Sequence, residues 1–175
     1  MEYAITLNFD AKTEASFNAL VEQLTEAQPR NYMQEHNIPP HVTIAFFCTE
    51  HIEDVAQKLD ANISLFPAGN VTWASLGAFV PKVLFAAPVL DDYLQNACVT
   101  ANRLVEDITE VGDEGHYRPN QWVPHTALVC QANREELTKA FDIAARHFTP
   151  LSGTACRMIL AQCSPYKELK TWALS

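Results

Sequence analysis

The sequence predicts an α+β fold: two pseudo-symmetric lobes of mainly antiparallel sheet, with outer helices and a central cleft. Three observations carry that prediction. Strand-like and helix-like segments alternate, but several strands return in hairpins, the pattern of α+β chains. The order strand, helix, proline–histidine strand, helix occurs twice, marked by Pro40-His41 and Pro124-His125, with the histidines 84 residues apart in a chain of 175. The apolar stripe at 52, 55, 56 and 59 recurs at 137, 140, 141 and 144, a constant offset of 85, the extra residue falling in the turn after each histidine strand. No composition shift marks a linker, so residues 1–175 are expected to form one bilobal domain.

The elements follow in order. "YAITLNF" (3–9) alternates and is rich in β-formers, so it reads as a strand. From about Lys12 to Gln28, Phe17, Leu20, Val21 and Leu24 share one helical face, and Pro29 ends the helix. A loop leads to the strand "HVTIAFF" and a short helix over 52–60. "VTWASLGAF" and "KVLFAAPV" pair as strands joined at Pro81, and Leu94, Ala97, Ala101, Leu104, Val105 and Ile108 mark a helix over 91–110. The polar stretch "VGDEGHYRPNQ" is a surface loop, "WVPHTALVC" a strand, 134–147 a helix, and "ACRMILAQC" with "KELKTWAL" a closing hairpin.

Composition narrows the function. Apolar residues make up 48% and charged residues 19%, a globular balance. No apolar run approaches the roughly 20 residues that span a bilayer, and the N-terminus lacks a basic signal region, so no membrane association is expected. Five cysteines without a CxxC suggest neither a zinc site nor a disulfide framework, but reduced thiols in a cytoplasmic protein. The net charge of −9 argues against duplex DNA or a long nucleic acid, which is held by neutralising phosphates with lysine and arginine. A small or terminal phosphate in a local pocket remains open.

The histidine strands hold the chemistry. Alternation places His41, Thr43 and Ala45 on one face, with Val42, Ile44 and Phe46 behind. In the second strand His125, Ala127 and Val129 share a face, and Thr126 points away unless a bulge turns it inward. A lone strand histidine is more often structural than catalytic. Two at equivalent points of a duplicated chain shift that balance.

The tetrapeptides "HVTI" and "HTAL" resemble the paired motifs (histidine, any residue, serine or threonine, apolar residue) of the two-histidine phosphoesterase superfamily. That superfamily includes the 2'-5' RNA ligase-like and cyclic phosphodiesterase proteins. The first motif matches in full. The second has Ala127 where the hydroxyl belongs. The resemblance implies a metal-independent phosphodiesterase that uses no cofactor and acts on a 2',3'-cyclic or 2'-5' phosphodiester. His41 and His125 would be its acid and base, provisionally in that order, with Thr43 donating to phosphate. Hydrolysis and ligation stay open, as does a catalytically weakened binding protein favoured by Ala127. A metal site fares worse, because no carboxylate or cysteine shares the motif spacing. Thr126, Tyr117 and Arg118 are candidate substrate contacts, the last two for stacking and phosphate pairing. Arg30, Tyr32, His116, Trp122 and Tyr166 are weaker candidates, and His36, His51 and His147 read as surface residues. The expected partner is a small nucleotide or RNA terminus, bound by a monomer.

Overall fold

The computed structural model describes all 175 residues. Its strands are β1 (Glu2–Phe9), β2 (His41–Cys48), β3 (Gly69–Phe79), β4 (Val83–Pro88), β5 (Glu110–Val111), β6 (Thr126–Val129), β7 (Leu151–Cys163) and β8 (Tyr166–Ala173). Its helices are α1 (Ala11–Gln23), α2 (Tyr32–Glu35), α3 (Ile52–Ala61), α4 (Asp92–Val105) and α5 (Arg134–His147). Asp10, Asn31, Asp91 and Asn133 cap α1, α2, α4 and α5 by accepting from first-turn amides. Two helices stop earlier than their apolar stripes suggest. The first ends in a 3-10 turn at Leu24–Glu26. The residues after α4 are drawn into β5, which pairs with the end of β2.

All pairings are antiparallel, in one eight-stranded sheet ordered β5-β2-β1-β7-β3-β4-β6, with β8 also on β7. The long β7 joins the lobes. Residues 155–162 pair with β1, while 151–155 pair with β3 and 157–163 with β8. A core of 38 buried residues draws on both halves of the chain. Four strands separate β2 from β6 in the order, yet the two touch, so the sheet folds back and brings the histidine strands together.

Both histidine strands carry a bulge at the same motif position. Pairing of β1 with β2 steps from Thr6–Thr43 to Ile5–Ala45, leaving Ile44 extra. Pairing of β4 with β6 steps from Phe85–Ala127 to Leu84–Val129, leaving Leu128 extra. Each bulged residue lies three places after its histidine. The bulge advances the alternation by one residue, so the sequence-based faces hold only up to that point. Ala45, expected beside His41, is buried in the core, and Phe46 takes the exposed side instead. A bulge also leaves backbone groups without ladder partners. Here Asn102 donates to the Ile44 carbonyl at 3.0 Å, and Asn31 donates to the Leu128 carbonyl at 2.8 Å. Asn102 precedes the second histidine and holds the first strand. Asn31 precedes the first histidine and holds the second.

Candidate active site

His41 opens β2, and His125 lies one residue before β6. Their settings match. Nδ1 of His41 is 2.8 Å from the Pro39 carbonyl, and Nδ1 of His125 is 2.9 Å from the Val123 carbonyl. A carbonyl only accepts, so Nδ1 carries the proton in both rings. Nε2 is then the free lone pair of the neutral imidazole. Neither Nε2 has a partner within the chain. Burial pushes both histidines below the usual imidazole range. The backbone carbonyls oppose that shift. The remaining influence differs: a charge on His125 further disfavours protonation of His41, whereas Asp113 favours protonation of His125.

The floor of the first lobe is polar. Directly paired residues share a face, so Thr6 lies beside Thr43 and Asn8 beside His41. Thr6 donates its hydroxyl to Asn8 Oδ1 at 2.7 Å, and Asn8 Nδ2 reaches the Pro40 carbonyl at 3.5 Å, next to His41. Sequence reasoning missed Thr6 and Asn8. The signal lay in "YAITLNF", whose polar residues fall on one face.

The floor of the second lobe is aromatic. By the matching register, Phe85 beside Ala127 stands where Thr6 stands beside Thr43. The Phe85 ring covers Gly77, where a Cβ would collide with it. The His125 ring meets Phe79 edge-on at 4.9 Å and Phe85 at 5.3 Å, with Tyr117 at 6.0 Å.

The other sequence candidates separate. Thr126 is not available to a ligand: it is fully buried and accepts from Trp73 Nε1 at 3.0 Å. The bulge invoked to turn it inward lies after it, at Leu128. Tyr117 stacks on Phe46 at 5.5 Å and is half-buried, which raises its phenol pKa. Arg118 is exposed and lines a cavity of about 800 Å³ with Arg103, Glu106 and Glu110, none of the cavity residues being a histidine. Arg30 and Tyr32 line a separate cavity of about 500 Å³ with Cys130. Trp122 is buried, His116 lies 3.6 Å from Asp113, and Tyr166 bonds Glu168 within its hairpin. No group of three or more histidine, cysteine or carboxylate side chains is placed to hold a metal ion. No helix is long and apolar enough to cross a membrane.

Among solved structures, TT0787 of Thermus thermophilus superposes with a TM-score of 0.63 at 19% identity, covering 99% of this chain and 98% of that one. A structure described as a phosphoesterase gives 0.62 at 16% identity, over 99% and 98% of the two chains. The fold is that of the two-histidine phosphoesterases. E. coli LigT complexed with 3'-AMP shares this two-histidine fold with a TM-score of 0.59 at 14% identity, over 99% of this chain and 98% of its own. No family model and no curated protein sequence matches the chain.

Proposed function

We propose that the chain, acting as one bilobal unit, is a metal-independent phosphodiesterase for a 2',3'-cyclic phosphate or 2'-5' phosphodiester on a nucleotide or RNA end. The observation that supports this best is the matched pair of imidazoles. Each has Nδ1 committed to the carbonyl two residues back and Nε2 uncommitted, and the strands β2 and β6 at whose starts they stand touch each other. One neutral and one protonated imidazole supply a base for water and an acid for the leaving oxygen. Water adds to phosphorus as the base removes its proton. The bond from phosphorus to the 2' or 3' oxygen breaks, and that oxygen takes the proton of the acid. A phosphomonoester and a free hydroxyl result. Thr43 donates to a non-bridging oxygen as charge builds.

The surroundings favour His125 as the acid and His41 as the base, reversing the provisional order taken from sequence. Burial disfavours the charged form of both rings, but Asp113 offsets it at His125, whereas a charge on His125 adds to it at His41. Tyr117 contributes to the wall beside His125, and Arg118, which lines a cavity without either histidine, is given no role. E. coli LigT was solved with 3'-AMP and with ATP, which agrees with a small nucleotide as ligand.

The test is hydrolysis of the four 2',3'-cyclic nucleotides with EDTA present, for wild type, His41→Ala and His125→Ala. Turnover that survives EDTA and falls at least about a hundred-fold in each variant, the usual contribution of a general acid or base, is the expected result. Activity retained in either variant removes that histidine from the mechanism. Ala127 keeps a second reading in view, a nucleotide-binding protein without turnover. Tight 3'-AMP binding with no hydrolysis in wild type would establish it.

A further inference from the structure

The departure at Ala127 coincides with a second one. The first lobe pairs Thr6 with Thr43, and the second pairs Phe85 with Ala127 at the same register. A hydroxyl pair has become a ring over a methyl group. Gly77 completes the exchange, because the Phe85 ring occupies the space any side chain there would need. Phe79, two residues on and thus on the same face as Gly77, reaches beyond this floor. It is 40% exposed, meets both Phe85 (4.6 Å) and His125 (4.9 Å), and is followed in the chain by Val80, exposed at 76%. No aromatic ring is stacked on His41.

We infer that Phe79, resting on Phe85, is the platform on which the substrate's nucleobase stacks. The second motif would then have lost its hydroxyl to a binding role and not to decay. This rests on the proposed phosphodiesterase reading and adds to it a base-binding half-site. An exposed aromatic face takes any base, because every base has a π-face. Seating the base on the His125 side puts the ribose oxygen that leaves phosphorus next to His125, and leaves the His41 side, with Thr43, to water.

The experiment compares a 2',3'-cyclic nucleotide with base-free ribose 2,3-cyclic phosphate in wild type, Phe79→Ala and Phe79→Trp. The readout is the ratio of kcat/KM for the two substrates, which a general weakening of the site would leave unchanged. Wild type is expected to prefer the nucleotide. Phe79→Ala should lower the ratio by about five-fold or more, and Phe79→Trp should hold it. An unchanged ratio in Phe79→Ala overturns the inference. If wild type hydrolyses neither compound, the phosphodiesterase reading has failed, and the platform is still decided by binding. Wild type should then bind 3'-AMP more tightly than ribose 3-phosphate, by a margin that shrinks in Phe79→Ala. Equal margins in the two proteins refute the platform.

Discussion

At the scale of single residues, the two histidines have the same scaffold and different neighbours. Both protonate Nδ1 for a carbonyl two residues back. Asp113, from the loop 112–121, acts on His125 and is not among the influences on His41. That difference predicts a pH signature. Replacing Asp113 with Asn withdraws a charge that favours the imidazolium at 125, so the His125 pKa falls further. An acid with a lower pKa loses its proton at lower pH. The alkaline limb of kcat/KM should therefore move to lower pH in Asp113→Asn, while the acid limb, set by His41, stays in place. A pH–rate profile decides this, and movement of the acid limb instead would restore the opposite assignment of acid and base.

At the scale of elements, the bulges and their asparagines tie each histidine strand to the other half of the chain. Removing the Asn31 amide leaves the Leu128 carbonyl buried without a donor, and also uncaps α2. Asn31→Ala should therefore cost about 2–3 kcal/mol, combining the desolvation of an unpaired carbonyl with the loss of a cap. Denaturant unfolding measures it, and a loss below about 0.5 kcal/mol would show that the latch is dispensable. The sequence let the histidine strands be read because proline, histidine and an apolar run recur with fixed spacing. It hid the bulges because after Thr43 the run "IAFF" is apolar on both faces, so no pattern breaks at Ile44. It hid β5 because two residues carry no period. The start of β7 was equally silent: Leu151–Thr154 look like a turn, and only their partners in β3 make them strand. Gly153 lies there because a Cβ would strike Thr13 at the first turn of α1, a contact between residues far apart in sequence. Thr126 was placed correctly by plain alternation and misplaced by the invoked bulge, which exists two residues later.

At the scale of the whole molecule, charge is the dominant property. With 21 acidic and 12 basic residues, the surface repels a polyanion, and under the proposed function the ligand's phosphate would have to be held by local donors. Binding of 3'-AMP should then respond weakly to salt, changing less than about ten-fold between 50 and 200 mM, where a protein with many phosphate contacts loses about 10³–10⁵. Calorimetric titration at the two salt concentrations tests this, and a steep fall would reveal a basic track that the fold does not display.

The shared strand β7 sets the order of assembly. β1 emerges early, yet one of its two edges is closed only when residues 155–162 arrive, and the same strand is needed to close β3. Neither half can therefore mature alone, despite the repeat between them. The closing contacts span nearly the full chain, a topology that folds slowly because the loop must close before those contacts repay it. During synthesis β1 and β3 both wait with an open edge, the stage at which unpaired strands leave the chain most exposed to aggregation.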